Sequence, residues 1–272
     1  MAAEKLERMK ELKVRMDMMF HFASQVPYKN DHLLPVIQSS KSLIGLSKDD
    51  PPKNLLKWLD GYVKNHEPDN CLVKEINTEK KIELLSTFEF EKLISQNKQN
   101  ECRMYLHQLL QVSNPRHLME LILEISLQRS SREILFCWSA FKTVQFMDYE
   151  DCIGILFLSL DCLFSDKVDD SNREVELQKF FVDCHSYQIA RTKMVRLKKI
   201  ASFAMKKRNK MKDRKIISSI MPKLLLKLLN NNKGTALKKY LNTLKINEIS
   251  VDHILFLDAI RAGIKYSNQS DK

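Results

Sequence analysis

Between Arg191 and Lys215 the chain carries Arg191, Lys193, Arg196, Lys198, Lys199, Lys206, Lys207, Arg208, Lys210, Lys212, Arg214 and Lys215. The chemistry open to such a run is electrostatic. Lys and Arg neutralise phosphates and release condensed counterions, so nucleic-acid binding follows even without base recognition. Met194, Leu197, Ile200, Phe203 and Ala204 alternate with the charges at helical spacing, which predicts a helix with one packing face and one cationic face. Extended to residue 239, the run holds seventeen Lys or Arg against the single acid Asp213, whereas the whole chain is only +11. The rest of the molecule is therefore mildly acidic. Concentrated like charge opposes folding through self-repulsion, so an anionic partner is expected to relieve it. The phosphate contacts are assigned to the ten basic residues from Arg196 to Lys215. Phe203 is the only aromatic among residues 191–215. Backbone phosphates, rather than stacked bases, are therefore the expected contact.

The same run has other uses. KKRNKMKDRK resembles a basic nuclear-localisation patch. A basic amphipathic helix can also lie on an anionic membrane surface or against a calmodulin-like partner.

Elsewhere the residues that could do chemistry are dispersed. His117 and Glu120 stand three apart, so one helix face could present both. Asp183 with His185, and Asp252 with His253, are candidate partners for them. Di-metal centres in helical bundles need a repeated Glu-x-x-His and two more carboxylates. Here the order is reversed and occurs once, so no metal site is expected. The six cysteines form no CxxC or CxxxC pair, which argues against structural zinc and for reduced, buried thiols. Reduced thiols fit a nuclear or cytosolic compartment. GxGxxG, GxxxxGK[ST], HExxH and GxSxG are all absent, and five glycines leave little room for a phosphate-cradling loop. No cofactor is expected.

The elements that must position these residues read as helices. Sheet-rich folds use many Gly and Pro turns, and this chain of 272 residues has five Gly and seven Pro. Apolar periodicity predicts helices over 4–23, 32–46, 54–65, 88–94, 101–112, 117–128, 133–145, 151–164, from about 174, 235–246 and 251–265. Thr78, Asn114 before Pro115, and Ser250 are expected N-caps. Ser130 with Glu133 has the capping-box spacing. An amphipathic helix is expected over 216–229, either kinked at Pro222 or starting near Ser219, with Gly234 suited to end it in the left-handed region. The longest apolar stretch, CIGILFLSL, falls well short of the ~20 residues that span a membrane.

A weak internal repeat pairs Tyr105 with Tyr240, Leu106 with Leu241 and Leu109 with Leu244. Recurrent helical hairpins stack, each burying its neighbour's apolar face. The expected fold is all-α, as stacked helical hairpins or an irregular helical bundle. The polar stretch SDKVDDSNRE at 165–174 divides it into an N-terminal part, 1–164, and a basic C-terminal part, 175–272.

HLLPVIQSSKSLIGL followed by LLKWLDGYVKNHEP resembles the N-terminal stretch of questin oxidase-like proteins, over some 50 residues. Asp252-His253-Ile254 resembles their C-terminal Asp-His motif. That resemblance implies a helical oxidoreductase with His32, His117 and His253 lining a cavity. The texture of the chain is similar to helical scaffold regions of nucleolar ribosome-assembly proteins. That likeness implies a non-enzymatic scaffold of a nuclear or nucleolar ribonucleoprotein, with protein partners on its apolar faces and RNA, more than DNA, on its cationic helix. The scaffold is the primary expectation and the oxidoreductase the alternative.

Overall fold

A computed structural model describes residues 2–29, 31–68, 85–148, 152–165, 172–191 and 234–267. The expected cationic helix, its ten assigned phosphate contacts, Cys71, the Thr78 cap and the helix over 216–229 lie outside those residues. Every regular element among them is helical: α1 Ala2–Gln25, α2 Leu33–Ile44, α3 Lys53–Lys64, α4 Thr87–Ser95, α5 Gln99–Val112, α6 Pro115–Ser126, α7 Ser131–Val144, α8 Cys152–Phe164, α9 Asn172–Arg191, α10 Gly234–Thr243 and α11 Val251–Ser267. Short 3-10 turns occupy Gly45–Ser47 and Ile246–Glu248. The all-α expectation holds. No helix of the described residues is long and apolar enough to cross a membrane.

Local chemistry sets the boundaries. Ser86 accepts from the Glu89 amide at 3.1 Å and opens α4. Asn114 accepts from the Arg116 amide at 2.8 Å, with Pro115 in the first turn of α6, as the sequence predicts. Ser250 caps α11 through the His253 amide at 3.2 Å. Two local expectations fail. Ser130 makes no side-chain bond to a backbone amide; its hydroxyl donates to the Glu133 carboxylate, one side chain satisfying the other. Gly234 opens α10 instead of closing a helix in the left-handed region. Among the described residues Asn97, between α4 and α5, takes the positive φ, at 56°.

The chain divides into two compact units, each discontinuous in sequence. One comprises 12–38 and 65–169. Within it α4 packs on α5, α6 on α7, and α7 on α8, with α5 and α6 also reaching α8. Met16, Met19, Phe20 and Ala23 of α1 are buried, and Phe20 meets Phe146 edge-on at 5.8 Å. Arg103 of α5 pairs with Asp161 of α8 and lies over the Phe157 ring at 5.0 Å. Tyr105 ties the start of α4 to α5: its hydroxyl accepts from the Ser86 amide at 2.6 Å and donates to the Ser86 carbonyl at 3.1 Å.

The other unit comprises 1–11, 39–64 and 170–272. Its centre is α9 packed along α11, with Phe180 stacked on Phe256 at 5.2 Å. α10 packs on α11 and on α3, and α3 also meets the 246–248 turn. Asn54 of α3 donates to the Leu244 carbonyl at 2.7 Å. α3 thus belongs with the C-terminal helices, whereas the sequence division at 165–174 leaves it in the N-terminal part. Periodicity shows that a helix has an apolar face; it does not show which distant helix covers that face.

Candidate functional site

The concentrated charge leaves the described residues at the end of α9 and re-enters at the start of α10. Both helices belong to the same unit, and both are firmly held. On α9, His185 is 1% exposed. Its Nδ1 donates to the Phe181 carbonyl at 2.9 Å, one turn back, and its Nε2 lies 3.3 Å from Asp258 Oδ2 on α11. The imidazole thus bridges a carbonyl of its own helix to a carboxylate of α11. Arg261 Nε donates to Asp258 Oδ1 at 2.5 Å. Burial alone would raise the Asp258 pKa. The Arg261 charge and the His185 bond outweigh it, and the carboxyl is held below its ordinary value. A buried charge survives only when paired and hydrogen-bonded, as this one is. Phe181 stacks on the imidazole at 4.0 Å and closes the cluster from solvent. It fixes α9 against α11.

On α10, Lys238 and Lys239 are the described end of the cationic run. Both are exposed and form no ion pair with a described residue. The apolar face below them, Leu237, Leu241 and Leu244, is 1–2% exposed. Tyr240 meets His253 Nε2 at 3.2 Å, and His253 Nδ1 donates to the Glu248 carbonyl at 3.0 Å, so one imidazole closes the α10–α11 corner. Burial, then the Glu248 charge, raises the Tyr240 pKa.

Between α10 and the start of α3 lies an open polar cleft of about 320 Å³, lined by Asp50, Pro51, Pro52, Lys53, Asn54, Leu241 and Asn242. The Asn54 bond to Leu244 fixes its two walls. Along α3, Lys53, Lys57 and Lys64 are exposed, again without an ion pair to a described residue. The cleft itself offers one carboxylate, Asp50, one ammonium, Lys53, and the amides of Asn54 and Asn242.

The three histidines of the oxidoreductase expectation have separate surroundings. His32 is 4% exposed. Its Nε2 donates to the Val26 carbonyl at 3.0 Å, and its Nδ1 accepts from the Leu34 amide at 3.1 Å. It is the N-terminal cap of α2, and both ring nitrogens are occupied by backbone. Burial lowers its pKa to about 4, with the Val26 bond opposing. Tyr28 stacks on it at 6.3 Å and Phe136 meets it edge-on at 5.4 Å. His117 is exposed in the first turn of α6, so it shares no enclosed pocket with His32. His253 belongs to the other unit and is engaged at its helix corner. His185 pairs with Asp258, not with the neighbouring Asp183. The sequence signal for that pair is a lone acid inside the apolar run ILFLDAI, three residues before an Arg.

Among the described residues no group of three or more His, Cys, Asp or Glu could hold a metal ion. Cys102, Cys137, Cys152, Cys162 and Cys184 are reduced and buried. Burial, then the bond to Cys162, pushes the Cys137 thiol up, and burial does the same at Cys184. Neither is a poised nucleophile. No family model, no curated protein and no solved structure matches the chain.

Proposed function

We propose that this protein is a non-enzymatic helical scaffold of a nuclear or nucleolar ribonucleoprotein assembly that contacts RNA phosphates through the cationic run from Arg191 to Lys239. The observation that carries this function is the segregation of charge: seventeen Lys or Arg against one acid in a stretch of an otherwise acidic chain. Support comes from both flanks. α9 is anchored by a buried ion cluster, and α10 ends the run in exposed lysines that no described acid neutralises. Each flank is thus held by contacts of its own, and the two lysines at the described end of the run stand exposed.

The test is a binding titration of single-stranded and duplex RNA at two salt concentrations. Wild type is compared with a variant carrying Gln at Lys206, Lys207, Arg208, Lys210, Lys212, Arg214 and Lys215. Wild-type affinity should fall by about 10³ or more between 50 and 200 mM salt if six or more phosphates are contacted. The variant should bind more weakly and with a shallower salt slope. Equal binding by the two proteins refutes the role of the segment.

A further inference from the structure

The cleft between α10 and the start of α3 has both walls in one unit, and the Asn54 bond to the Leu244 carbonyl ties them together. At about 320 Å³ it stands at the lower end of the ~300–1,000 Å³ that ligand clefts occupy. Asp50 and Lys53 bring opposite charges to it, yet they form no ion pair with each other or with any other described residue. Asn54 has committed its amide nitrogen to Leu244 and keeps its Oδ1 as an acceptor. Asn242, on the other wall, is exposed, and its side chain makes no hydrogen bond to a described residue. Its amide therefore offers a donor and an acceptor side by side. Pro51 and Pro52 also line the cleft, and rings that fix φ keep that wall stiff.

We infer that this cleft holds a short extended peptide segment of a partner protein. In an extended strand the N–H and C=O of one residue point to the same side, and a primary amide closes two hydrogen bonds with that pair. Asn242 supplies such an amide from α10, and Asn54 a further acceptor from α3. Side chains alternate along a strand, so residues i and i+2 stand on one side. One basic and one acidic residue at that spacing meet Asp50 and Lys53. The same groups argue against nucleic acid as the occupant. A carboxylate in the cleft repels phosphate, and none of the described residues lining it is aromatic, so a base finds nothing to stack on. The site does not depend on the RNA contact proposed above and adds a protein partner to it.

The experiment uses the full chain, isotope-labelled, with two capped probes, acetyl-Lys-Gly-Glu-amide and acetyl-Glu-Gly-Lys-amide. The side-chain amide signals of Asn242 and the backbone amides of Lys53 and Asn54 are followed by NMR up to millimolar peptide. Strand direction decides which charge meets which, so one order should shift these signals to saturation and the other bind more weakly. The neutral acetyl-Gln-Gly-Gln-amide should bind about fivefold more weakly than the better order. Asn242→Ala should cost about tenfold, since two hydrogen bonds go with the amide. The decisive variant exchanges the charges: Asp50→Lys with Lys53→Asp should reverse which probe binds better. Both positions are exposed, so the exchange spares the packing face of α3. If that variant does not fold, the order preference of the wild type and the weaker binding of the neutral probe decide. Failure of either charged probe to shift the signals of folded wild type overturns the site. So does binding without an order preference, or with one that survives the exchange. Shifts of the same signals by oligo(U) and by neither peptide overturn it in favour of RNA.

Discussion

His32 shows how a side chain that invites a catalytic role serves a backbone instead. Its Nδ1 accepts only while unprotonated, so protonation breaks the cap on α2 and places a charge in a buried site. The folded-state pKa of about 4 lies below the ordinary histidine value of 6.5. The unfolded chain therefore binds the proton first as pH falls. Stability contributed by neutral His32 is complete above pH 6.5 and is lost between there and about pH 4, up to roughly 3 kcal/mol. Denaturant melts of wild type and His32→Gln at pH 7.5 and pH 4.5 should converge at the lower pH, because the variant lacks that loss. A constant gap between them would contradict the cap. None of this was legible in the sequence, where a His before an apolar helix fits a ligand and a cap equally well. The His185–Asp258 pair was illegible for a different reason. Periodicity placed both residues on helices, but only packing of α9 on α11 brings the ring to the carboxylate.

At the scale of elements, boundaries were readable wherever one residue's chemistry decides them. Asn114 with Pro115, and Ser250, cap the helices they were expected to cap. Ser130 failed because the Glu133 carboxylate competes for its hydroxyl within the same turn. Close packing was not readable at all. Gly154 of α8 faces Ser24 of α1 so tightly that an added Cβ would lie 3.0 Å from the Ser24 Cβ and 3.1 Å from its carbonyl oxygen. By helix propensity alone, Gly154→Ala should stabilise α8 by about 1 kcal/mol. The backbone oxygen of a packed helix cannot step aside, so the steric term, about 1–3 kcal/mol, should win. Thermal unfolding should show a lower midpoint for Gly154→Ala and an unchanged or higher one for Gly61→Ala, whose surroundings are open. The reverse order would mean that α1 and α8 have slack.

For the whole molecule, composition announced the helices, and charge arithmetic singled out one strongly cationic segment. Assembly was hidden. α3 is covered by helices from the far end of the chain, and nothing local in KNLLKWLDGYVK points to Leu244. The burial of five thiols has a practical side. Cys102 rides on α5, Cys137 on α7, Cys152 and Cys162 on α8, and Cys184 on α9 next to the charge cluster. An alkylating reagent can modify these sulfurs only after the helix carrying them opens. Peptide mass spectrometry over a time course therefore clocks each helix separately, with no label or substitution introduced. If the ion cluster clamps α9 as its geometry implies, Asp258→Asn should hasten capture of Cys184 far more than capture of Cys102, and the unmodified chain carries its own stopwatch.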